Sequence, residues 1–201
     1  METENKAAAK KPVTQDEILV ASLKLFASQG YFNTSLKDIQ EAVGIKTTHG
    51  LYQHFKNKQA IAEALYANIL DSLSISIDDI RRRNRKPSEQ LREIFDLLFK
   101  LSEQAPEVIR FLLFTNMQEI LPDQKSLLTT PPFTKIQKVI QNGIKENEIR
   151  SIDPMLAYGY FFGIIKHSIA LILSGDLPKK MDNYQPQVWL AAWNSIAKSK
   201  V

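Results

Sequence analysis

The stretch ILVASLKLFASQGYFNTSLKDIQEAVGIKTTHGLYQHFKNK, Ile18 to Lys58, carries the architecture of this chain. It opens on a helical pattern, with Ile18, Ala21 and Leu25 beside Leu19, Leu23 and Phe26 forming one broad apolar face. Thr14 followed by Glu17 predicts a capping box before it, and Gly30 predicts its end. Thr34 or Ser35 opens a second, short helix with Leu36, Ile39, Ala42 and Val43 inward. Gly44 makes a tight turn, and a third short helix ends in Tyr-x-His-Phe-x-x-Lys. Two short helices joined by a glycine turn form a helix-turn-helix, whose second helix can enter the DNA major groove.

Outward from this segment every strong periodicity is helical. Asn57 is placed to cap a fourth helix running through Ile61, Leu65, Ile69, Leu73 and Ile77. Pro87 opens a fifth, with Leu91, Ile94, Phe95, Leu98 and Phe99 inward. Pro106 opens a sixth, predicted to run through Ile109, Leu112, Leu113 and Met117 to near Pro122. A loop follows over 121–130, and Pro131-Pro132 opens a seventh helix. Asp153-Pro154 starts an eighth, to about Ser174, and a ninth covers roughly 186–198. The fold class is therefore all-α: an N-terminal three-helix DNA-binding unit with a helix-turn-helix, then a C-terminal helical bundle, about nine helices in all. The predicted organisation is a disordered tail over 1–13, the helix-turn-helix domain over 14–58, and a helical effector-binding and dimerisation domain over 59–201.

Composition bounds the function. At 201 residues and 44% hydrophobic, the chain can bury a sizeable core. With no cysteine there are no disulfides, thiolate metal sites or cysteine nucleophiles, which fits a reducing compartment. The start, METENKAAAKKP, lacks the apolar core of a secretory signal. The net charge of +4 is too mild to point to nucleic acid, but its distribution is informative. No acidic residue falls between Val43 and Ala62, while Lys46, Lys56 and Lys58 do. The run Arg81-Arg82-Arg83-Asn84-Arg85-Lys86 reads as a solvated helix end, where cations oppose the dipole. Of the three histidines, His49 and His54 lie in the recognition segment and only His167 elsewhere. No HExxH, no ExxH pair and no phosphate-cradling glycine loop is present, so the chain is not read as an enzyme. No metal site and no cofactor is predicted.

Gly44, Ile45, Leu51, Tyr52, His54, Phe55 and Lys58, with the upstream Phe26, Gly30, Tyr31, Thr34, Asp38 and Ile39, resemble the DNA-binding segment of the TetR family of transcription regulators. The resemblance covers residues 14–66 and is architectural beyond them. The span from Gly44 to Tyr52 is one residue longer than the family pattern. Placed inside the recognition helix, that residue would rotate everything before it by about 100°. The extra residue is therefore assigned to the turn at Lys46, with Thr47 as N-cap. Gly50 would then let the helix backbone approach the groove. Thr48, His49 and Gln53 are the candidates for base readout. Lys46, Tyr52, His54 and Lys58 are candidates for phosphate, as are Thr34 and Ser35 beside the second helix. Phe26, Ile39, Ala42 and Phe55 read as core.

The eighth helix, PMLAYGYFFGIIKHSIALILS, is apolar almost all round. Its length suits a membrane span, but Lys166, His167, two glycines and two tyrosines argue for burial on two faces and for no membrane partner. The resemblance implies a homodimer through the last two helices, with Phe161, Ile165, Ile169, Leu173, Trp189 and Trp193 as candidate interface residues. It also implies double-stranded DNA as partner, a small-molecule effector and a cytoplasmic location. Phe95, Phe99, Phe111, Phe114, Met117, Tyr158 and Phe162 are candidates to line the effector pocket. The functional expectation is a repressor released from a palindromic operator by a small apolar ligand. An activator or partner-sensing regulator of the same fold is the alternative, and an all-α enzyme the more distant one.

Overall fold

The computed structural model describes residues 13–178 and 180–199; the first twelve residues of the expected tail lie outside them. The chain divides into two compact units, Met1–Ala62 and Glu63–Val201.

The first unit is built on local caps. Helix α1, Gln15–Gln29, opens on Thr14, whose N–H donates to Glu17 Oε2 at 2.8 Å while its hydroxyl accepts from the Glu17 N–H at 3.2 Å. Helix α2, Leu36–Val43, repeats the device: the Ser35 N–H donates to Asp38 Oδ2 at 2.7 Å, and the Asp38 N–H to Ser35 Oγ at 3.1 Å. The Ser35 backbone N–H, and after it the hydroxyl, hold the Asp38 carboxyl below its usual range. Gly44 ends α2 in the left-handed region at φ +69°, and its N–H returns to the Gln40 and Glu41 carbonyls. Helix α3, Thr48–Tyr52, starts with Thr47 at the N-cap, the position expected for a lengthened turn. Helix α4, Lys58–Arg83, follows, and Asn57 Oδ1 accepts from the Ala60 N–H at 2.7 Å. Ile18, Phe26, Ile39, Leu51 and Ile61 form the buried centre. Ala42, expected inside, is exposed, and Phe55 is only half-buried.

Two residues have roles the sequence did not indicate. A Cβ on Gly50 would lie 2.5 Å from Ile45 Cγ2. The missing side chain lets α3 close on its own turn, so this glycine does not face the groove. The Lys58 ammonium donates to the carbonyls of Tyr31 and Thr34 at 2.8 and 2.7 Å and sits 4.2 Å from the Tyr31 ring centre. It closes the α1–α2 connection instead of facing solvent, and partial burial pulls its pKa below the usual lysine value.

In the second unit, α4 continues to Arg83. Its terminal arginines pair with acids: Arg81 with Asp78, Arg82 with Asp79, Arg83 with Glu93. The three arginines that end α4 are thus each paired with an acid. Helix α5, Pro87–Gln104, has proline in its first turn, and its Ser88 N–H donates to Glu148 Oε2 at 2.8 Å, a cap supplied from far along the chain. The sixth helix is not continuous. Helix α6, Pro106–Ile109, passes into a π-helical turn, Arg110–Phe114, then Thr115 is extended, and α7, Met117–Ile120, starts anew. The Thr115 hydroxyl donates to the Arg110 carbonyl at 3.3 Å, satisfying a backbone group that the broken helix releases. A 3-10 turn, Leu127–Thr129, precedes α8, Pro131–Lys145. Helix α9, Pro154–Ser174, is capped by Asp153, which accepts from the Met155 and Leu156 N–H groups, and it ends at Gly175 with φ +87°. Helix α10, Gln185–Asn194, is shorter than expected. Phe95, Phe99, Phe111 and Phe161 are wholly buried. The described residues contain no strand, only an isolated bridge between Ile149 and Ala197.

Lys58→Met removes a charged donor from the Tyr31 and Thr34 carbonyls and is expected to lower stability by about 1–3 kcal/mol. The urea midpoint should fall with the m-value unchanged. Asp38 titrates lower folded than unfolded, so its contribution is present above the unfolded pKa and lost as pH falls through the folded one. The stability gap between wild type and Asp38→Asn, measured by urea unfolding at a series of pH values, should therefore close on acidification.

Candidate nucleic-acid interface and ligand cavity

On α3, Leu51 is buried and Gly50 faces Ile45, which leaves one arc for solvent. That arc carries Thr48, half-buried, then His49, Tyr52 and Gln53, all exposed, Tyr52 to 51%. The spacing i, i+1, i+4, i+5 puts these four on one side of the helix. Lys46 and Thr47 are exposed in the turn before it, and Lys56 is exposed after it. His54 is half-buried, and its carbonyl accepts from Gln15 Nε2 at 3.3 Å. No carboxylate falls in the sequence from Val43 to Ala62, so this face offers donors without an acidic competitor.

Three expected phosphate contacts are otherwise engaged. Thr34 is 1% exposed, with its hydroxyl donating to the Gly30 carbonyl and accepting from Gln29 Nε2. Ser35 is exposed but serves its capping box. Lys58 holds the Tyr31 and Thr34 carbonyls. Among the described residues, Lys46 and Lys56 are the exposed cations flanking α3, and neither forms a salt bridge. Sequence reading passed over Lys56 because the family pattern ends on Lys58.

The second unit holds an apolar cavity of about 260 Å³. Its walls come from α4 (Leu73), α5 (Ile94, Leu98), the π-helical turn (Leu113), Leu127 and Leu128, α8 (Phe133, Ile136) and α9. From α9 it takes Tyr158, Phe162 and Lys166, one turn apart, with Gly159 and Gly163 beside them. Tyr158 and Phe162 stack at 4.7 Å. Burial pushes the Tyr158 hydroxyl well above the usual tyrosine pKa, so it stays protonated. A Cβ on either glycine would meet nothing within 4 Å. Of the aromatic set expected to line a pocket, Tyr158 and Phe162 do so, while Phe114 and Met117 line a neighbouring, more polar cavity of about 400 Å³. Phe95, Phe99 and Phe111 touch neither and are core: Phe95 packs on Phe99 at 4.5 Å and on Trp189 at 5.4 Å. The aliphatic walls were missed because Leu and Ile at helical spacing carry no signal that separates lining from core.

Of the expected dimer residues, three are buried and three, Leu173, Trp189 and Trp193, are half-buried. Phe161, Ile165 and Ile169 are 0–1% exposed inside their own bundle and have no surface for a partner. Trp189 packs on Phe95 and Phe161 beneath the Arg92 guanidinium, and Trp193 stacks parallel to it at 5.8 Å. Leu173 is half-buried. Apolar residues that do face outward are Met155 (47% exposed), Leu156 (54%) and Tyr160 (45%) on α9 and Leu190 (56%) on α10. Ile164 and His167 share the α9 side with Leu156 and Tyr160.

A sequence family described as bacterial regulatory proteins, tetR family, matches residues 18–65. The HTH-type transcriptional repressor KstR2 of Mycolicibacterium smegmatis is 25% identical over 152 residues, 73% of each chain. A TetR family transcription regulator from Marinobacter aquaeolei shares the fold at a TM-score of 0.77 and 19% identity, over 92% of this chain and 96% of that one. FadR from Bacillus subtilis, solved in complex with stearoyl-CoA, does so at 0.76 and 18%, over 91% and 100%. With the glycine turn and the exposed face of α3, these matches identify residues 18–65 as a DNA-binding segment of the tetR-family type, in a chain that shares its fold with TetR family regulators.

Proposed function

We propose that this protein is a transcriptional repressor that binds a near-palindromic operator as a homodimer and releases it when a small apolar ligand enters the cavity. The observation that carries the reading is the pairing, in one chain, of the α3 donor arc with a cavity walled by apolar side chains. Relatives named as repressors support the sign of regulation, and FadR with stearoyl-CoA supports an apolar effector.

Thr48, His49 and Gln53 read base edges, while Tyr52, Lys46, His54 and Lys56 position the helix on phosphates. Two recognition helices about 34 Å apart reach successive major grooves on one face of DNA, which demands a two-fold dimer. The outward row of α9 with Leu190 of α10 is the surface offered to the second copy. Leu73 of the cavity wall lies on the same continuous helix as Lys58, which holds the α1–α2 connection. A ligand favouring one position of α4 would weaken operator binding by its differential affinity for the two states. Action on DNA inside the cell makes the cytoplasm the compartment.

Selection from random duplex DNA should recover a near-palindromic site; enrichment of no sequence would end the proposal. On that site, Tyr52→Phe should weaken binding alike for all sequences, whereas changing Thr48 or His49 should alter preference at one base pair by about 1–3 kcal/mol. If both merely scale affinity, the readout assignment is wrong. Leu156→Glu with Leu190→Glu should give a monomer by sedimentation with helix content retained, and an unchanged dimer would place the interface elsewhere.

A further inference from the structure

The apolar cavity and its polar neighbour share Leu113, Leu127 and Lys166. They are two chambers meeting at one doorway. The inner chamber is walled by aliphatic and aromatic side chains. The outer one presents Asn116, Gln118, Gln124 and Lys125. Lys166 stands at the junction with its ammonium 5.5 Å from the Phe114 ring centre. Neither Lys166 nor Lys125 forms a salt bridge among the described residues. Two cations without carboxylates at the mouth of an apolar slot are a counter-charge awaiting an anion.

Helix α9 sets the dimensions of the slot. Tyr158, Phe162 and Lys166 recur at every fourth residue, so they run in a line about 12 Å long at 1.5 Å per residue. The bare backbone at Gly159 leaves room beside that line. From these observations we infer that the effector is an anionic amphiphile. Its apolar body lies along Tyr158 and Phe162, and its acidic headgroup sits in the outer chamber on Lys166 and Lys125. The inference rests on the ligand-responsive reading above and specifies the ligand class. A neutral apolar molecule would fill the inner chamber and leave both ammonium groups unmatched.

The test is calorimetric titration of the full-length protein with decanoate, decanoyl-CoA and decanol, which share a chain and differ in the head. Wild type should bind one or both anionic probes at least about tenfold more tightly than decanol, the worth of one charge-assisted hydrogen bond. A preference for decanoate assigns the headgroup to a carboxylate, and a preference for decanoyl-CoA to a larger phosphate-bearing group. Lys166→Met should bring the anionic probes down to the level of decanol. Gly159→Leu, which fills the slot from a helical position with open space around it, should abolish binding of all three while circular dichroism shows the helices retained. Equal or tighter binding of decanol by wild type, a Lys166→Met variant that keeps its anion preference, or a Gly159→Leu variant that binds normally would overturn the inference. So would absence of binding by every probe. Binding of the selected operator duplex without any probe reports the regulatory reading separately. A chain that holds its duplex but takes no anionic probe overturns this inference alone.

Discussion

Helix α9 is apolar around almost its whole circumference, and the second unit is arranged around what each of its sides meets. Its sides have different surroundings. Ala157, Phe161 and Ile169 are buried in the bundle, and Ile165, buried too, also borders the cavity. Tyr158, Phe162 and Lys166, with the two glycines, border the cavity. Leu156, Tyr160, Ile164 and His167 face outward. By length and composition alone α9 and α4 could cross a membrane. The partition gives each apolar side of α9 a distinct surrounding: core, cavity or solvent. The cavity exists because the side between core and exterior carries glycines that fill no volume.

The DNA-facing unit obeys a different constraint. A five-residue helix such as α3 is too short to hold itself by hydrogen bonds alone. It is positioned by what flanks it: the left-handed Gly44, the Ile45 side chain against Gly50, and Leu51 in the core. Lys58 completes the frame by donating to the Tyr31 and Thr34 carbonyls of the α1–α2 connection. The residue that looks most like a phosphate contact is therefore spent on structure, and Lys46 and Lys56 are the neighbouring lysines left exposed.

Helix starts and stops were legible in the sequence wherever a side chain reaches only three or four residues. Thr14 with Glu17, Ser35 with Asp38, Asn57 with Ala60 and Asp153 with its first turn all appear as expected. The break at Thr115 was not legible, because Leu112, Leu113 and Met117 keep helical spacing across it. Nor was the α5 cap at Ser88, whose acceptor Glu148 lies sixty residues away. At the site, the solvent arc of α3 was readable from periodicity, but half of the proposed pocket aromatics were core.

The sequence by itself determined the all-α class and the helix-turn-helix, and carried the resemblance of that segment to the TetR family, because caps, glycine turns and 3.6-residue periodicity are local and leave a mark in residue order. Only the tertiary structure decided which side of α9 meets the core, which meets the cavity and which stays outward. It alone placed Lys58 on backbone carbonyls and Trp189 against Phe95. The physical reason is that apolar residues at helical spacing satisfy the same pattern whichever neighbour buries them. The identity of that neighbour depends on elements distant in sequence.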